Sequence, residues 1–171
     1  MITIKTITIT IIFSISLINL YGQTDSLQNV QNSADEFIVG KCDRIDLQKG
    51  DFGKHFFEEY NNYNPESEFL DNIKNKIFNC SITIVLGTWC HDSQQQVPRF
   101  IKILDELDYN TNYLEIICVD KDKKTGDIEI TDMNIERIPT FIFYEKDKEI
   151  GRIIETPNKS LEIDTYKILT N

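Results

Sequence analysis

Reactive chemistry concentrates in one segment, Gly87-Thr88-Trp89-Cys90-His91-Asp92-Ser93, where an apolar run gives way to a helix-period pattern. A cysteine at a helix start faces unpaired backbone N–H groups and the positive end of the helix dipole, and both favour thiolate over thiol. Thiolate is the form that attacks disulfides. His91 offers either a cation that steadies such a thiolate or, more simply, an exposed first-turn residue. Asp92 and Ser93 suit helix-start positions, where a short acceptor satisfies free N–H groups, and for Ser93 a hydrogen bond to the Cys90 sulfur is an equal alternative. A zinc site needs three or four convergent ligands, and one cysteine with His91 does not supply them, so the sequence points to no metal. His55, between Lys54 and Phe56-Phe57, reads as a packed or surface histidine.

The other cysteines are Cys42, Cys80 and Cys118. Cys80 and Cys118 sit in or beside core-type strands, where cysteine serves as a small apolar side chain. Cys80 stands at the far end of its strand from Cys90, roughly 20 Å away, and is out of reach. Cys118 is surrounded by Ile116, Ile117 and Val119 and reads as facing core. Cys42, on a less regular N-terminal stretch, is left as the one candidate partner for Cys90.

The elements that position these residues follow from apolar periodicity. Phe52, Phe56 and Tyr60, then Phe69, Leu70, Ile73 and Ile77, mark two helices over 51–62 and 67–79, split by Asn64-Pro65. Residues 81–86 form a short β-branched run typical of a strand buried on both faces. Val97, Phe100, Ile101, Leu104 and Leu107 give an amphipathic helix over 92–107, and a second buried strand spans 114–119. Strand, helix, strand in this rhythm is a parallel pair with a crossover. Strands over 140–144 and 149–156 flank the polar turn Glu145-Lys146-Asp147-Lys148 as an antiparallel hairpin, and a helix over 160–169 closes the chain. The predicted class is α/β: a central mixed sheet, βαβ then ββα, flanked by helices, with an N-terminal helical extension.

At 171 residues there is room for one domain and a short extension. Lys5 followed by the apolar run Ile7 to Leu20 reads as a signal peptide over 1–22, cut ahead of Gln23. The run is about 14 residues, below the roughly 20 that cross a bilayer as a helix, so a membrane association is expected only if the segment stays uncleaved. Residues 23–50 read as a linker and extension that ends by docking, and 51–171 as the domain. The net charge of −10, without a dense basic cluster, excludes a nucleic-acid partner. The expected location is the periplasm or the exterior.

The motifs at the element junctions narrow the reading. Trp89-Cys90-His91-Asp92-Ser93 opens the helix, Pro98 follows Cys90 by eight residues, and Ile138-Pro139-Thr140 precedes the hairpin. This combination, over about residues 81–169, resembles the thioredoxin superfamily and in particular its exported bacterial members. The resemblance implies that Trp89 covers the site and that a cis Pro139, between Ile138 and Thr140, holds an extended edge for a client peptide and keeps metal out. It implies that Pro98 bends the helix, unless the helix simply begins there. No cofactor is implied, and the expected partners are protein or small-molecule thiols and disulfides.

Two departures limit the chemistry. Ser93 stands where the family carries a second, resolving cysteine, and a hydroxyl cannot attack a mixed disulfide from within. Ile84 stands where many thioredoxins bury an acid. The expected function is exchange through one cysteine, with Ser93 as the companion of catalytic Cys90 and with Trp89, His91, Asp92, Ile138, Pro139 and Thr140 lining the substrate side. The alternative is a peptide-binding module that has kept the fold and lost the redox chemistry.

Overall fold

Alternation along the central strands divides the protein into two apolar layers. A computed structural model describes residues 37–171; the expected signal peptide over 1–22 and the first half of the linker lie outside the described residues. Ile82, Ile84 and Leu86 of one strand enter the larger core cluster, while Val85 between them enters the smaller one. The same division separates Ile116 and Cys118 from Ile117 and Val119.

The elements in chain order are β1 (Gly40–Cys42), α1 (Arg44–Leu47), α2 (Gly50–Asn62), α3 (Ser67–Ile77), β2 (Cys80–Leu86), α4 (His91–Glu106), β3 (Leu114–Cys118), β4 (Thr140–Glu145), β5 (Lys148–Ile154) and α5 (Leu161–Thr170). The sheet order is β1-β3-β2-β4-β5. β2 and β3 are parallel, with Leu86 beside Cys118, and the other pairings are antiparallel. Each predicted helix and strand of the βαβ and ββα halves is present. Pro98 lies inside α4, which starts at His91 and not at the proline.

The expected domain boundary at residue 51 needs correction. β1 adds to the free edge of β3, and Leu47 of α1 is fully buried in the larger cluster, so residues 40–50 belong to the domain. A capping box holds α1 at its start: Asp43 Oδ1 accepts from the Asp46 N–H, and Asp46 answers to the Asp43 N–H. Arg44 then reaches Asp105 of α4 at 2.7 Å, and Tyr60 of α2 donates to the same carboxylate at 2.6 Å. A charge-assisted cluster thus ties the N-terminal helices to the helix that carries Cys90.

Buried residues of all five helices join the larger cluster. Phe100 of α4 packs its ring 4.8 Å from that of Phe141 and 5.9 Å from that of Phe143, which seats α4 on β4. Fully buried Glu162 of α5 is satisfied by the Tyr63 hydroxyl at 2.9 Å and the Glu66 N–H at 3.3 Å. Burial first, and then the Glu162 carboxylate, push the Tyr63 hydroxyl up, so it stays a donor. The smaller cluster, Val85, Ile117, Val119 and Ile138, is covered by Ile128, Ile130, Met133 and Ile135 from the β3–β4 connection, and Cys90 packs against this cluster.

Candidate functional site

Gly87 ends the buried strand, and the chain must turn at once into α4. Three bonds shape that turn. The Cys90 N–H donates to the Gly87 carbonyl at 2.9 Å, the Gly87 N–H donates to Ser93 Oγ at 3.3 Å, and Gln94 Nε2 donates to the Thr88 carbonyl at 3.0 Å. Cys90 is thereby placed as the N-cap of α4, in extended backbone at φ −88° and ψ 127°. Its carbonyl already accepts from the Gln94 N–H at 3.0 Å. Cys90 is partly exposed at the N-terminus of a sixteen-residue helix, and its side chain makes no hydrogen bond to the N–H groups of that first turn.

The second wall comes from the segment before β4. The Ile138–Pro139 peptide bond is cis. The Cys90 thiol donates to the Ile138 carbonyl at 3.5 Å, so the cysteine and the proline segment are in contact. Thr140 Oγ1 donates to the Arg137 carbonyl at 2.6 Å, and the N–H of Glu155, just past the end of β5, donates to the Pro139 carbonyl at 2.7 Å. Ile138, Pro139 and Thr140 are all buried, so they form a fixed wall.

Trp89 is about one-third exposed, at 36%, and its Nε1 donates to the Val119 carbonyl at 3.1 Å. The indole therefore lies across the strand ends beside Cys90. Room for it comes from Gly87. A Cβ there would stand 2.8 Å from Trp89 Nε1 and 2.8 Å from Ile138 Cδ1. Gly87→Ala is expected to lift Trp89 off Val119 and to cost about 1–3 kcal/mol through overpacking. Because Trp89 is the single tryptophan of the chain, its fluorescence in the folded variant reports the displacement directly. An unchanged spectrum and an unchanged melting temperature would sink this account of Gly87.

The structure brings together Trp89, Cys90, Ser93, Ile138, Pro139 and Thr140. His91 is exposed on the first turn, which matches its simpler reading, and Asp92 lies beside it with its acidic side chain at the helix start. Ser93 is fully buried, and its hydroxyl accepts from the Gly87 N–H, so it fixes the turn. Ile84 is fully buried in the larger core cluster, and that position holds no acid. Sequence reasoning missed Thr88 and Gln94. Thr88 Oγ1 accepts from the Ile38 N–H at 3.1 Å, so the segment leading into β1 braces the turn from behind. Their polarity beside Trp89-Cys90 was the only signal, since each acts through a backbone group whose position depends on the turn.

Cys42 does not serve Cys90. Its side chain and that of Cys118 belong to the larger cluster on one face of the sheet, whereas Cys90 packs with the smaller cluster on the other. Cys80 opens β2 at the end of the strand remote from the turn. Among the described residues, no three His, Cys, Asp or Glu side chains converge as a metal site requires.

A strand-to-helix cysteine facing a cis-proline wall, on a sheet of this topology, defines a thioredoxin-like protein. The sequence profile of the family described as thioredoxin matches residues 51–167, and the chain belongs to that family. A search of curated proteins gives no match. Among solved structures, a protein of unknown function from Pseudomonas aeruginosa is 15% identical, with 69% of this chain and 79% of that chain covered and a TM-score of 0.46. Mitochondrial thioredoxin 3 from Saccharomyces cerevisiae is 23% identical, over 52% of this chain and 76% of its own, with a TM-score of 0.33. Thioredoxin from Aeropyrum pernix is 16% identical, over 52% and 73%, with a TM-score of 0.36.

Proposed function

We propose that this protein performs thiol–disulfide exchange through Cys90 alone, with protein or small-molecule disulfides as partners. The observation that carries the reading is a partly exposed thiol at the N-cap of α4, against the Ile138 carbonyl, with Ser93 in place of a second thiol. The Cys90 thiolate attacks one sulfur of a disulfide R–S–S–R′. A bond forms between Cys90 and R–S, the S–S bond breaks, and R′–S⁻ leaves and takes up a proton. Ser93 offers no second attack, so the mixed disulfide persists until an outside thiol displaces Cys90. Such a cycle suits isomerisation, capping or retention of clients. Trp89, His91, Asp92 and the wall from Ile138 to Thr140 line the side from which a client approaches. The apolar run Ile7 to Leu20 supports export to the periplasm or the exterior, and a mature N-terminus at Gln23 is the expected product.

Cys90→Ser separates this reading from a peptide-binding module. With a disulfide-bearing peptide as probe, the variant is expected to lose covalent capture entirely and to retain only weak, reversible association. If the variant holds the peptide as tightly as the native chain does, the redox reading fails and a binding module with a passenger cysteine remains.

A further inference from the structure

The approach of Cys42 to Cys118 is the strongest feature that the exchange site does not use. The pairing register sets Gly40 opposite Cys118 and Cys42 opposite Ile116, so Cys42 is the next residue of β1 on the same face as Gly40. Gly40, directly opposite Cys118 in the register, has no side chain and sits at φ +96°. The Cys42 side chain occupies that diagonal, and the two sulfurs are 2.7 Å apart. A disulfide is about 2.05 Å long, so the two sulfurs have about 0.7 Å left to close. Both side chains are buried, at 8% and 0% exposure, so the pair is held in place by the core around it.

We infer that Cys42 and Cys118 join in a disulfide that staples the edge strand β1 to β3 in the oxidised protein, leaving Cys90 as the exchange thiol. The oxidant is a low-molecular-weight or protein disulfide. One thiolate of the pair attacks it and releases the first small thiol, and the other thiolate then displaces the second. Two protein thiols become one S–S bond, the small disulfide becomes two thiols, and the protons pass to the departing sulfurs. The adjoining Cys118 thiol and burial both push the Cys42 thiol up, so oxidation proceeds while the three-residue edge strand is undocked, during folding or on local opening. The bond closes a sequence separation of 76 residues, a long loop of the kind whose constraint most restricts the unfolded chain. It also anchors the segment whose Ile38 N–H braces Thr88, two residues before Cys90.

The test uses the full chain, natively folded and carrying Cys90→Ser so that the exchange thiol cannot reshuffle the products. The protein is incubated with excess oxidised glutathione, quenched with acid, denatured, alkylated and digested without reduction. The expected product is a single linked peptide pair joining Cys42 to Cys118, with Cys80 alkylated. The melting temperature is expected to fall by about 10 °C when reductant is added. Recovery of Cys42 in any other state, whether alkylated, glutathionylated or linked to Cys80, overturns the inference. Because Cys90 is absent from this protein, failure here leaves the exchange reading untouched.

Discussion

Replacing Ser93 with cysteine is expected to convert a site that holds its partner into one that releases it. Cys90 is the N-cap and Ser93 the third residue of α4, so the two positions share one face of the first turn. In the native chain a glutathione adduct on Cys90 waits for an outside thiol. In the Ser93→Cys variant the introduced thiol stands beside the mixed disulfide and expels glutathione from within, at a rate at least about a hundredfold above that supported by millimolar external thiol. The cost in stability is modest. Ser93 Oγ accepts from the Gly87 N–H, sulfur is a weaker acceptor, and losing one such bond costs about 1 kcal/mol. Release of glutathione from the purified adduct, followed by mass spectrometry, checks the prediction. Equal release rates in the two proteins would show that Ser93 does not occupy the resolving position.

The second large effect concerns the seating of α4. Phe100 is fully buried, and its ring meets those of Phe141 and Phe143 of β4. Phe100→Ala removes the aromatic contacts on both and opens a cavity beneath the helix that presents Cys90. The expected loss is about 3–5 kcal/mol. For a domain of this size that lowers the melting temperature by about 10–15 °C. Phe100→Leu, which fills most of the volume, is expected to lose less than half as much. Chemical denaturation of the three proteins decides the matter, and a loss below about 1 kcal/mol for the alanine variant would contradict the packing described.

The sequence showed the parts of the fold whose signals are local. The run Ile82 to Leu86 stood out by its β-branched composition, and the stripe Val97, Phe100, Ile101, Leu104 was long enough to display a helical period. β1 was not visible, because three residues cannot establish alternation and Gly40-Lys41-Cys42 becomes a strand only through the edge of β3. For the same reason the meeting of Cys42 and Cys118 could not be read: it depends on a register between segments far apart in the chain. At the site, Cys90, Trp89 and Pro139 stood out by motif. The turn bonds through Ser93, Gln94 and Thr88 did not, since a hydroxyl or amide finds its backbone partner only once the turn exists. Sulfur and backbone were equal partners for Ser93 by residue type alone, and the geometry selects the Gly87 N–H.

The most direct test of the central claim is to incubate the native full-length chain with oxidised glutathione at neutral pH and then measure its intact mass and map the modified peptide. The account predicts one glutathione per chain, attached at Cys90 and stable until an external thiol is added. A chain that takes up no glutathione at Cys90, or whose Cys90 adduct decays unaided into an internal disulfide, would contradict exchange through a single cysteine.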